Sequence, residues 1–236
     1  MKFLFVAPAC LLVLGSVPLA GANKLTRQEK EDGFVLLFDG KSTQHWRTIR
    51  QRPGAGGWVV RKGILTWEKG GSWLGTEEKY YDFVLRLEYR TGQDSNSGIF
   101  LRSADEGNPA FSGMELQIAS DAGKPPGKQT TGALYGAVAP ARNMARPPGE
   151  WNTVEVIVYD RRVHATWNGA VVLDVNLDDA RYQDVQERPL AERVPFGRVG
   201  LQAYSSGEPV EFRNLRVRVL KTGPIFPPRK SDDLED

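Results

Sequence analysis

The chain has 236 residues, with 31 Lys+Arg against 29 Asp+Glu, two His and one Cys. This near balance lacks the basic excess that draws proteins to nucleic-acid backbones, and the length suffices for one sizeable core. The single cysteine, Cys10, lies in an apolar leader, so the remainder offers no disulfide, thiol nucleophile or thiolate metal ligand.

Lys2, the apolar run Phe3 to Leu14 and the small residues Ala20-Gly21-Ala22 read as an export signal over residues 1–22, removed ahead of Asn23. The run is too short to span a bilayer. The mature chain is therefore expected in the periplasm or outside the cell, with no membrane segment. Residues 23–32 form a polar lead, either one helical turn or disordered. A domain then runs over 33–221. It opens with a strand over 33–38, closed by an Asp39-Gly40 turn. Trp58-Val59-Val60, Gly63 to Trp67 and Ser72-Trp73-Leu74 follow as short apolar runs. In Tyr81 to Arg90, Phe83, Leu85, Leu87 and Tyr89 share one face of a strand.

Asn96 to Arg102 and Gly113 to Ile118 read as two further strands. Met114, Leu116 and Ile118 point one way. Glu115 and Gln117 point the other, roughly 7 Å apart on one face. With Arg102 at the end of the first strand, they describe either a polar binding face or the exposed side of an ordinary sheet. Val154, Val156 and Val158 alternate in the next strand. Asn168-Gly169 between apolar runs signals a tight hairpin. Gly197 to Tyr204 and Val210 to Leu220 complete the set. Asp178 to Gln186 is the best short helix candidate. Long loops are expected over 40–57, 103–112, 119–131 and 139–150, and a disordered tail over 222–236. Many evenly spaced strands without long helices predict an all-β sandwich or barrel.

Phosphate-binding glycine loops, nucleophile elbows and multi-histidine metal centres are missing from the sequence. His164 sits mid-hairpin and reads as structural. His45 lies in a loop and is kept as a site candidate. The aromatic inventory points to sugar: rings stack on pyranose C–H faces while amides, Arg and carboxylates bond the hydroxyls. Asn96, Arg102, Glu115, Gln117, Tyr135 and Gln202 are suitable polar types. Trp58, Trp67 and Trp167 read as core, and Trp73 as a stacking candidate.

The order of motifs resembles the bacterial 3-keto-disaccharide hydrolase family, also described as 3-keto-glucoside lyase/hydratase domains. The matching pieces run from Gly33-Phe34 and Phe38-Asp39-Gly40-Lys41 through Asn96-Ser97-Gly98-Ile99 and Gly113 to Ile118. They continue with Thr131 to Tyr135, Pro148 to Asn152, Gly200-Leu201-Gln202 and Phe212 to Leu215. The resemblance implies a concanavalin A-like jelly roll of two antiparallel sheets with a sugar or glycoside ligand on the concave one. The family commonly has a His after its Leu-Gln pair, where Tyr204 stands here.

The implied chemistry removes the C2 proton of a 3-keto sugar, expels the C1 group and adds water. The expected roles are Glu115 as base, Arg102 with Asn96 at the ketone or enolate oxygen, and Tyr135 or an acid not identified from the sequence at the leaving group. Gln117 and Gln202 would orient hydroxyls and Trp73 would stack on the ring, with Tyr204, in place of the family's His, and His45 as further substrate-binding candidates. A divalent metal ion, with Asp121 and Glu115 as oxygen ligands, is an alternative enolate stabiliser. A non-catalytic carbohydrate-binding module is the second reading, and a laminin-G-type adhesion domain the third.

Overall fold

A computed structural model describes residues 22–50, 57–68, 73–185, 187–204 and 207–221. The expected export signal over residues 1–22, apart from Ala22, and the expected tail over 222–236 fall outside the described residues. Thirteen strands and two short α-helices are described: α1 (Arg27–Glu31), β1 (Val35–Leu36), β2 (Trp46–Arg50), β3 (Trp58–Arg61), β4 (Ile64–Trp67), β5 (Trp73–Thr76), β6 (Phe83–Arg90), β7 (Asn96–Ser103), α2 (Pro109–Ser112), β8 (Met114–Ala119), β9 (Trp151–Tyr159), β10 (Arg162–Trp167), β11 (Ala170–Asn176), β12 (Arg198–Leu201) and β13 (Glu211–Val219).

The strands form two antiparallel sheets, so the all-β sandwich expected from the sequence is the fold. The larger has the order β11-β10-β9-β6-β13-β4-β3, with β1 also on β13. The smaller has five strands in the order β2-β5-β12-β7-β8. Alternation explains the core between them. Phe83, Leu85, Leu87 and Tyr89 from β6 meet Met114, Leu116 and Ile118 from β8 in one buried cluster. Each such side chain, removed from water, contributes about 1.5–3 kcal/mol. Trp67 and Trp167 are in this core, as expected, and Trp167 Nε1 donates to the Tyr89 hydroxyl at 2.9 Å.

The Asn168-Gly169 hairpin is present. Both residues take positive φ, +51° and +83°, and Trp167 pairs with Ala170 across the turn. These angles suit Asn and Gly and would strain a β-branched residue. Asp178 to Gln186 yields a single 3-10 turn, Ala180–Tyr182. The lead before Gly33 is ordered where described. Thr26 caps α1 in a reciprocal box with Glu29, and Asn23 is buried against Asn214.

Candidate functional site

The smaller sheet presents β7 and β8 side by side. Their register pairs Phe100 with Glu115 and Gly98 with Gln117. Paired residues on antiparallel strands share a face, so all four look away from the core. β12 adds Gly200 opposite Phe100, and the Gln202 N–H donates to the Gly98 carbonyl at 2.9 Å. Leu201 opposes Leu74, so continuing the register sets Gln202 opposite Trp73. Two adjacent rows therefore cross the sheet. One runs Gly75, Gly200, Phe100, Glu115; the next runs Trp73, Gln202, Gly98, Gln117.

Beyond β8 the chain adds a further ladder. Tyr135 N donates to Glu115 O, and Gln117 N donates to Ala133 O. This carries Tyr135 onto an apolar patch of Trp73, Phe100, Ala110 and Phe111, separate from the main core. The Trp73 and Phe100 rings lie 5.2 Å apart, and those of Phe111 and Tyr135 6.2 Å. Phe111 arrives on α2, whose start is fixed by the Asn108 side chain accepting from Ala110 N. Arg193 holds the other end by donating to the Ala110 and Gly113 carbonyls.

Glu115 is the chemically distinctive group here. It is 2% exposed, its Oε1 has no hydrogen-bond donor, and burial alone pushes its carboxyl up to about 8. Water ordinarily stabilises a carboxylate, and removing it favours the protonated form. Gln202 Oε1 is likewise buried without a partner. Gln117 is 3% exposed, and its Nε2 makes only a long 3.5 Å contact with the Ile118 carbonyl. Buried polar atoms are normally satisfied, so two acceptors without donors on the strands either side of β7 mark a place prepared for a ligand's donors.

Arg102 is a correction. Simple alternation along β7 places it with Glu115, but the strand is bulged there. Arg198 pairs with Ser103 and Gly200 with Phe100, which leaves one extra residue on β7, and Arg102 has φ +51°. The bulge breaks the alternation. The guanidinium is fully buried and spent elsewhere: on the Tyr81 carbonyl at 2.6 Å, the Asp160 carbonyl at 2.7 Å and Asp82 Oδ1 at 2.9 Å. It ties the smaller sheet to the end of the larger one and, with no exposed surface, is not presented to a ligand on the Glu115 face.

His45 is also not brought to Glu115. It is exposed ahead of β2, on the sheet edge opposite β8, so four strand spacings, roughly 19 Å, intervene. Asp121 is spent within its own loop, where both carboxylate oxygens accept from Thr131. Asn96 is half-buried one row beyond Gly98, and Tyr204 is exposed two residues after Gln202. Trp73 is 5% exposed and packs on Phe100, so the ring expected to stack on sugar is largely covered. Sequence reasoning passed over Phe100, Phe111 and Gly98. Period-two alternation from Asn96 marks Gly98 and Phe100; nothing in the loop before Gly113 announces Phe111. Among the described residues, no group of three or more His, Cys, Asp or Glu converges to hold a metal.

The chain is 25% identical to a 3-keto-disaccharide hydrolase of Bacteroides thetaiotaomicron, over 87% of this chain and 84% of that protein. A candidate glycosyl hydrolase of Parabacteroides distasonis has a solved structure that superposes with a TM-score of 0.74 at 25% identity, over 85% of this chain and all of the other. The carbohydrate-binding module CBM66 of Bacillus subtilis superposes at 0.50 with 14% identity, over 74% of this chain and 95% of the module, a likeness of fold alone. The sequence profile of one domain family matches residues 33–218, which hold both sheets and every residue of the face around Glu115. The chain belongs to the family of 3-keto-alpha-glucoside-1,2-lyase-like domains.

Proposed function

We propose that this protein is a carbohydrate-active enzyme that cleaves 3-keto-glycosides, with Glu115 as the base. The observation that carries this reading is the buried Glu115 carboxyl, whose Oε1 has no donor, on a sheet face shared with Gln117 and Gln202 and beside an aromatic patch. The family and the Bacteroides relative supply the substrate class.

A ketone at C3 acidifies the hydrogen on C2. Glu115 accepts that hydrogen as a proton, the C–H electron pair forms the C2–C3 double bond, and the carbonyl pair moves onto O3. When the ketone re-forms, a C1–C2 double bond forms and the bond from C1 to the leaving oxygen breaks. That oxygen takes a proton from the Tyr135 hydroxyl or from solvent. Water then adds across the double bond, hydroxyl to C1 and hydrogen to C2, releasing the 3-keto sugar. A base of this kind works best with a pKa near the working pH. With Arg102 engaged elsewhere, the Gln117 and Gln202 amides are the donors closest in the fold to the developing enolate. The apolar leader supports export, which N-terminal sequencing of the secreted chain at Asn23 would test.

The deciding assay follows product release from a 3-keto-glucoside and from the unoxidised glucoside, with and without chelator. Cleavage of the keto sugar alone is expected, with kcat/KM rising as pH passes through about 8 and Glu115→Gln losing that limb. Binding by calorimetry with no turnover on either sugar would replace this reading with that of a binding module, a role the same fold serves in CBM66.

A further inference from the structure

We propose that Gly98 is the positioning residue for Glu115: the missing side chain at 98 is the slot in which the Glu115 carboxyl lies. This rests on Glu115 being the base. A Cβ built on Gly98 would stand 1.8 Å from Glu115 Oε1, 2.6 Å from its Cδ and 2.7 Å from its Cγ. Such distances are too short for non-bonded atoms, so the carboxyl fills the volume that any other residue at 98 would claim. Gly98 has no positive φ to explain its identity. Its place is set by what lies over it.

The slot has defined walls. Gly98 pairs with Gln117 on β8, and on the other side its carbonyl accepts from Gln202 N. Glu115 comes from the neighbouring row, opposite Phe100, and lies diagonally across β7 onto Gly98. This brings the carboxyl down onto the backbone between the strand positions of Gln117 and Gln202, whose backbones each lie about one strand spacing of 4.7–4.9 Å from that of Gly98. There it is shielded by the sheet, which is why water does not reach Oε1. A Glu at 115 standing upright on the sheet would be an ordinary hydrated surface acid. The glycine therefore makes the difference between a solvated carboxylate and a desolvated acid–base group.

The experiment uses Gly98→Ala, Glu115→Ala and the double variant, with carbon-13 NMR titration of the glutamate carboxyls, Glu115 being assigned from Glu115→Gln. In the wild type the Glu115 signal is expected to titrate well above the other glutamates. In Gly98→Ala its midpoint is expected to fall by roughly 2 units, as the methyl group displaces the carboxyl toward water. Turnover of the 3-keto sugar is expected to drop by about 10²-fold, with the rising limb of its pH profile moving to lower pH in step. Thermal melts supply the check on folding: Gly98→Ala should lower Tm in the wild-type background and by much less in Glu115→Ala, where the slot is vacant. An unshifted Glu115 midpoint in Gly98→Ala, an ordinary midpoint in the wild type, or an equal loss of Tm in both backgrounds would each overturn the proposal. Because titration and melts need no substrate, they decide the role of Gly98 even if the wild type turns over no sugar, an outcome that would count against the enzymatic reading alone.

Discussion

Glu115 holds its proton at neutral pH in the folded chain, because burial raises its carboxyl to about 8. The unfolded chain releases the same proton near pH 4.3. Between these values the folded state binds a proton that the unfolded state has lost, so stability falls as pH rises across the window. Below about 4.3 the contribution is fully present; above about 8 it is gone. At about 1.4 kcal/mol per unit, the window represents several kcal/mol. Glu115→Gln removes the titration. Urea unfolding of both proteins at pH 5, 6.5 and 8 is expected to show the variant gaining on the wild type at each step. Parallel curves would mean that the carboxyl is hydrated, and the case for an unusual acid at 115 would fail. The sequence disclosed this residue well: strict alternation between Met114 and Ile118 put Glu115 and Gln117 together off the core. Its dryness was not legible, because it comes from Gly98 on another strand and from the ladder over 133–135.

At the scale of the strand, β7 shows how far periodicity reaches. Asn96, Gly98 and Phe100 obey it, and Arg102 does not, because the bulge arises from pairing with β12, almost a hundred residues away in sequence. No local pattern around Arg102 could announce that. The same limit hid the position of His45, which depends on β2 being an edge strand remote from β8. By contrast the β10–β11 hairpin was legible, since its turn is written in two adjacent residues. The bulge has a testable consequence. Arg102 satisfies two carbonyls and Asp82 with a planar fork that lysine cannot reproduce. Arg102→Lys is expected to cost about 2–3 kcal/mol in denaturant unfolding while kcat per folded molecule stays within about twofold. A large loss of kcat with unchanged stability would return Arg102 to the chemistry.

Across the whole molecule the two outer faces are built on opposite principles. On the eight-stranded sheet, acids and bases are matched: Arg86 with Glu155, Arg213 with Glu88, Arg90 with Glu211 and Arg162 with Asp174. On the five-stranded sheet, the groups around Gly98 are left with acceptors unmet. The charges of the first face are spent on one another, and the unmet acceptors of the second are where the proposed sugar would bind. The N-terminal lead belongs to the first face. Glu29, from α1, accepts from Arg216 at 2.5 Å and lies 3.4 Å from Arg86, joining β13 to β6 across 187 and 57 residues of sequence. Burial alone would raise its carboxyl, yet the Thr26 N–H and the two arginines outweigh that and lower it. A lowered pKa means stability that is present above the unfolded value and lost as pH falls. Glu29→Gln is therefore expected to cost about 2 kcal/mol at pH 7 and progressively less toward pH 3, where the wild-type carboxyl is also protonated. The comparison to make is denaturant midpoint against pH for both chains, alongside turnover of the 3-keto sugar by the folded variant. A constant gap between the midpoints at every pH would show that Glu29 acts through packing rather than charge. Loss of turnover without loss of stability would show that the two faces communicate, against the division of labour their pairing patterns describe.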